Sequence, residues 1–160
     1  MNIETYLHTS FENPDREYRD GKLVRRSLPD YLHSKTQGLV GAFFAQFGRV
    51  LPIYPALSVR LKLRESLYLI PDVAVFYPNE PQERVPATPP FVAIEILSPD
   101  DRMADLRNKL AEYRAWAVTY MWLVDPHSKR MYTCDAELVE VSVLKITELD
   151  LELKPADIFG

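Results

Sequence analysis

Apolar and polar residues follow two periods along the chain, and each change of period marks an element. EYRDGKLVRR (17–26) reads as a hairpin, because Asp20-Gly21 supplies the positive φ a two-residue turn needs. LPDYLHSKTQGLVGAFFAQFG (28–48) places Leu32, Leu39, Val40, Phe43, Phe44 and Phe47 at near-helical spacing. Pro29 and Asp30 suit the start of that helix and Gly48 its end. ALSVRLKLR (56–64) alternates with period two and predicts one strand, and YLIPDVAVFY (68–77) predicts the next. A proline-bounded loop leads to FVAIEILS (91–98), the most continuously apolar segment and a candidate central strand.

DDRMADLRNKLAEYRAWA (100–117) predicts a helix, with Ser98 or Asp100 as cap and Pro99 in the first turn. TYMWLVDP is another apolar strand, and strand–helix–strand over 91–125 implies a right-handed parallel crossover. KRMYTC and ELVEVSVLKIT read as an antiparallel meander, and LELKPADIFG as a short packed tail. The expected fold is a mixed central sheet flanked by helices, in the α/β to α+β range, with an N-terminal hairpin and helix. At 160 residues, one domain over 1–160 is the expectation.

Composition narrows this little: 47% hydrophobic and 26% charged residues are ordinary for a globular protein. No apolar run approaches a membrane span, and the N-terminus lacks the basic start and apolar centre of a secretory leader. One cysteine, Cys134, excludes an internal disulfide and points to the cytoplasm. A net charge of −4 argues against a broadly basic nucleic-acid face. KLVRR and RLKLR are the local basic stretches, and each reads as a strand with one solvated face.

The chemistry lies in two acids. Asp72 and Glu95 each sit within an apolar strand, where an isolated buried carboxylate costs several kcal/mol unless paired, protonated or metal-bound. On strand alternation Asp72 shares a face with Ala74 and Phe76, and Glu95 with Ala93 and Leu97. A divalent cation between the two acids removes both the burial cost and their repulsion. Oxygen ligands favour Mg²⁺, Mn²⁺ or Ca²⁺. In the next helix Met103, Leu106, Leu110 and Tyr113 form the core stripe, with Asp105 and Lys109 together on its flank near Arg102. A lysine there reaches toward the strand acids, and two acids, a cation and a lysine can hydrolyse a phosphodiester.

Each residue taken alone has a plainer reading. Asp72 after Pro71 can cap a turn. Glu95 can lie at a sheet edge or pair with an arginine. Asp105 and Lys109 can form a surface i,i+4 pair worth a few tenths of a kcal/mol. His33 either faces the site or packs and caps locally. His8, His33 and His127 lack metal-ligand spacing, and neither a P-loop nor a GxSxG motif is present.

IPDVAVFYP, then FVAIEILSPDDRMADLRNKLAEYRAWAVTYMWLVDP, resembles the bacterial Uma family, formerly a domain of unknown function. EYRDGKLV, the helix carrying His33 and the tail LELKPADIF extend the resemblance over nearly the whole chain. The resemblance implies the restriction-endonuclease-like fold of the PD-(D/E)xK superfamily. It implies a metal-dependent endonuclease acting on DNA with Mg²⁺ or Mn²⁺, and a homodimer, since many enzymes of the superfamily work as dimers. Pro71-Asp72 matches the superfamily's PD and Glu95 its second acid. Leu97 departs from the lysine of (D/E)xK, and Lys109 on the following helix matches the family's relocated lysine. Asp105 matches the acid one turn earlier, Glu17 the acid ahead of the DG turn, and the Ile96 carbonyl the usual backbone metal ligand. Trp116-Ala117-Val118 stands where the family has a glycine. The alternative is a catalytically silent nucleic-acid-binding or assembly module on the same fold, which the charge and Leu97 favour slightly and the retention of Asp72, Glu95 and Lys109 together disfavours.

Overall fold

The computed structural model describes residues 1–12 and 14–160. Strands β1 (Glu17–Arg19) and β2 (Lys22–Val24) form the expected hairpin, with Asp20 at φ 49° and Gly21 at φ 88°. Ahead of it lies a short helix the sequence pattern did not reveal, α1 (Ile3–Leu7), capped by Asn2. Its Tyr6 packs on Tyr18 and Tyr68, and Arg60 covers the Tyr6 ring at 4.2 Å. Helix α2 (Tyr31–Phe47) starts at Asp30, whose carboxylate accepts the His33 N–H at 2.8 Å. Its buried face is His33, Thr36, Val40 and Phe44, while Leu39, Phe43 and Phe47 are half-buried. The polar His33 and Thr36 of the first turns therefore face inward along with Val40 and Phe44.

Two expected strands are each two strands. ALSVRLKLR breaks at Ser58, whose φ is 50°, into the end of β3 (Tyr54–Leu57) and β4 (Leu61–Arg64). YLIPDVAVFY breaks at Ile70-Pro71-Asp72 into β5 (Leu67–Leu69) and β6 (Val73–Phe76). Proline lacks the N–H a ladder needs, so the break falls there. Apolar patterning continues across both breaks, and it does not report which sheet a strand joins. Asp72 therefore lies in the break and not on a face of β6.

The breaks let the chain change sheets. β2, β1, β5 and β4 form a four-stranded sheet in that order. β7 (Val92–Ile96), α3 (Met103–Ala115) and β8 (Tyr120–Asp125) form the parallel crossover. β9 (Arg130–Cys134) and β10 (Leu138–Val141) then turn antiparallel. The six-stranded sheet runs β10-β9-β8-β7-β6-β3, with β7 in its interior. ELVEVSVLKIT also divides: β11 (Leu144–Ile146) leaves the meander to pair with β12 (Leu151–Leu153) in the tail, before α4 (Pro155–Ile158).

One core packs α2, α4 and the β11–β12 pair on one face of the large sheet, around Phe44, Trp122 and Ile94. A second packs Leu110 and Tyr113 of α3 against Ala74, Ala93 and Met121 on the other. No helix among the described residues is long and apolar enough to cross a membrane.

Candidate active site

The break at 70–72 places Asp72 beside the end of β7. Its Oδ2 accepts the Ile96 N–H at 2.7 Å. The Asp72 carbonyl accepts from Ser58 N–H at 3.2 Å and from the Gln37 amide at 2.9 Å. Its Oδ1 receives Arg26 Nη2 at 3.0 Å and His33 Nε2 at 3.2 Å. Burial works to raise the Asp72 pKa. The His33 hydrogen bond, the charge on His33, and then Arg26 and Lys109 outweigh burial and hold it below the ordinary carboxylate range. His33 shifts the other way: burial would lower its pKa, but the bond to Asp72 raises it.

Glu95 lies in an interior strand, not at an edge, and its partner is a lysine, not an arginine. Lys109 Nζ stands 2.9 Å from Glu95 Oε1, 2.8 Å from Glu17 Oε2 and 2.8 Å from the Ile70 carbonyl. Tyr113 O–H donates to Glu95 Oε2 at 3.2 Å. Glu17 Oε2 also accepts the Ile70 N–H at 2.7 Å, so β1 and α3 grip the break from both sides. One ammonium thus faces two carboxylates. Burial pushes the Glu95 pKa up to about 8 against the pull of Lys109, and the charges of Asp72 and Glu17 add to the rise. Burial acts to lower the pKa of Lys109, but Glu17 and Glu95 more than offset it and keep the amine charged.

Lys109 was expected on the flank of α3 beside Asp105, and that expectation is corrected. Lys109 is buried, whereas Asp105 is exposed and makes no ion pair with it among the described residues. At 100° per residue Lys109 lies only about 40° from Tyr113 around the helix, which places it inside the core stripe. Met103, assigned to that stripe, is half-buried. Nor do Ser98 and Asp100 cap α3: Arg102 holds the cap position with no side-chain bond among the described residues, and the Asp101 carboxylate takes the Ser98 N–H at 2.8 Å. The same carboxylate accepts from Ser27 Oγ.

Glu17, Asp72, Glu95, Ile96, Asp105 and Lys109 all line one pocket of about 460 Å³. Arg26 and His33 line it as well. Arg26 escaped notice in the sequence because a basic residue after an exposed edge strand normally points to water. Tyr113 was assigned only to the core, although its place four residues after Lys109 gives the two a shared face.

Among the described residues no three His, Cys, Asp or Glu side chains are grouped so as to hold a metal ion. The donor chemistry nevertheless suits a hard cation. Asp72 Oδ2 and both Glu95 oxygens each accept one hydrogen bond and keep a lone pair. Mg²⁺ is commonly held by one or two carboxylates, with waters and substrate phosphate completing the shell. Asp72 Oδ1, by contrast, is filled by Arg26 and His33.

The fold defines the class. A crystal structure described as "a putative nuclease belonging to DUF820" from Anabaena variabilis ATCC 29413 superposes with a TM-score of 0.83. The match covers 99% of this chain and 97% of that one at 20% identity, a likeness of fold. The architecture is restriction-endonuclease-like. The chain itself belongs to the Uma2 family, described as "Putative restriction endonuclease", whose profile matches residues 3–158. No curated protein matches the chain.

Proposed function

We propose that the chain is a metal-dependent endonuclease hydrolysing DNA phosphodiester bonds, built as one domain over residues 1–160. Asp72, Glu95 and the Ile96 carbonyl would hold Mg²⁺ or Mn²⁺. That cation, when bound, supplies a polarised phosphate and a water of lowered pKa. Lys109 orients and stabilises the attacking hydroxide from the Glu95 side of the pocket. Glu17 keeps Lys109 in place, and Asp105 assists from the exposed rim one helical turn away. We assign the protein to the cytoplasm, in keeping with its lone cysteine. We assign it as a homodimer, which would let two acidic subunits shape one groove for DNA.

The observation that carries this reading is the convergence of Asp72, Glu95 and Lys109 on one pocket, with the lysine 2.9 Å from Glu95. Supercoiled plasmid incubated with Mn²⁺ or Mg²⁺ is the test. The parent chain is expected to nick it, while Asp72→Ala and Glu95→Ala fall to background. Nicking that survives both substitutions points to a contaminating nuclease and defeats the reading. A parent that binds DNA without cutting it is the silent module instead.

A further inference from the structure

Arg26 belongs to no strand or helix: it follows β2 in the link to α2. Its guanidinium nonetheless reaches into the pocket and lies 3.0 Å from Asp72 Oδ1, with the two side chains 13% and 7% exposed. His33, on the first turn of α2, fills the other lone pair of that oxygen at 3.2 Å, and its Nδ1 is buried with no partner among the described residues. A cation approaching Asp72 Oδ1 therefore meets an oxygen already holding two hydrogen-bond partners, one of them the Arg26 guanidinium. His33 is fixed in a helix, whereas Arg26 hangs on an irregular link whose next residue, Ser27, is tied to Asp101 across the pocket.

We propose that Arg26 exchanges partners: it neutralises Asp72 in the free protein and moves to the substrate's phosphodiester when a divalent cation takes Asp72. This rests on the metal-dependent reading above and extends it to how the substrate is gripped. A planar guanidinium suits the change, because it meets a carboxylate and a phosphate through the same two-pronged geometry. Moving it removes a positive charge from the cation's position and adds one beside the incoming phosphate. Cation and nucleic acid then raise each other's affinity by the same factor. No covalent step is involved.

The test is Mn²⁺ binding to the full chain, read as free Mn²⁺ by electron paramagnetic resonance. It is made with and without a phosphorothioate DNA duplex that resists cleavage. The parent is expected to bind Mn²⁺ about tenfold tighter with the duplex, within the ordinary range of coupling between two sites. Arg26→Gln is expected to bind Mn²⁺ about tenfold tighter than the parent without DNA, and to lose the gain from adding it. Arg26→Lys, which restores the charge, is expected to return toward parent behaviour, and metal-free melting of both variants shows that they fold. Arg26→Gln binding Mn²⁺ no better than the parent, while Asp72→Asn abolishes binding, overturns the exchange and leaves the metal site standing. Mn²⁺ binding unaffected by Asp72→Asn, or absent from every form, removes the metal site and the exchange with it.

Discussion

Asp72 and Glu95 border the same pocket, are both buried, and sit at one junction of β6 with β7, yet their pKa values are driven in opposite directions. Asp72 lies in a chain break and receives two partners, Arg26 and His33, on one oxygen. Glu95 lies within a strand and shares one ammonium with Glu17. Burial penalises both charges alike. The difference lies in what each carboxylate receives: Arg26, His33 and the Ile96 N–H at Asp72, against one shared ammonium and the Tyr113 hydroxyl at Glu95. It follows chain architecture: the Asp72 side is built from a link and a helix end, the Glu95 side from β1, β7 and the middle of α3.

The hardest break of this contrast is Lys109→Met. It strands Glu17 and Glu95 in the interior facing each other and leaves the Ile70 carbonyl without its donor. Removing one partner of a buried pair costs about 3–5 kcal/mol, so urea unfolding is expected to show a loss of that size. On the Asp72 side, Arg26→Gln is expected to cost about 1 kcal/mol, because His33 still serves the carboxylate and water reaches the half-buried position. Equal losses from the two substitutions would erase the distinction between the sides.

The pH dependence of stability sharpens it. The folded pKa of Glu95, about 8, lies above its ordinary 4.5. Its contribution is therefore complete below about 4.5 and is lost as pH rises through about 8. Between those limits the folded state holds the extra proton, so stability is expected to fall by up to about 1 kcal/mol per pH unit. Asp72 works in the reverse sense: its depressed pKa gives stability present above its ordinary 3.8 and lost as the solution is acidified below that. Denaturant titrations with a chelator present are expected to show Glu95→Gln flattening the alkaline slope while sparing the acid limb. A Glu95→Gln profile parallel to that of the parent would mean that Glu95 is ionised throughout.

Much of this was legible in the sequence, for local reasons. The DG hairpin, the two long helices and the 91–125 crossover are written in turn chemistry and periodicity within short windows. Asp72 and Glu95 stood out because a carboxylate inside an apolar run has few physical explanations. What could not be read was non-local. Apolar patterning continues through Ser58 and Pro71, so nothing local shows that each segment serves two sheets. Lys109 was expected on the helix flank reaching toward the strand acids, and it does meet Glu95, but its angular position already put it inside the stripe, where it is buried. Arg26 and His33 meet Asp72 only through tertiary folding, across 46 residues in the case of Arg26. The N-terminal helix was hidden because five residues carry too little pattern to register.

The smallest test concerns the end of α3, on the Glu95 side. Trp116 closes the helix, and Ala117 after it adopts φ +73°. The Ala117 N–H bonds the Arg114 carbonyl at 3.0 Å, and the Val118 N–H bonds Tyr113 at 3.1 Å. This is the left-handed position that usually takes glycine, which accounts for the glycine the family resemblance places there. A Cβ in that conformation costs roughly 1–2 kcal/mol, while glycine's extra freedom in the unfolded chain gives back roughly 0.4–1. The strain is the larger of the two, so Ala117→Gly is expected to stabilise the protein by about 0.5–1 kcal/mol. Calorimetry should show the midpoint rising by roughly 1–4 °C. Ala117 is exposed and lies outside the pocket, so plasmid nicking by the variant is expected to match the parent. A lowered midpoint would mean that the turn at 116–118 is held by the packing of Trp116 and Val118, with the strain at Ala117 already relieved.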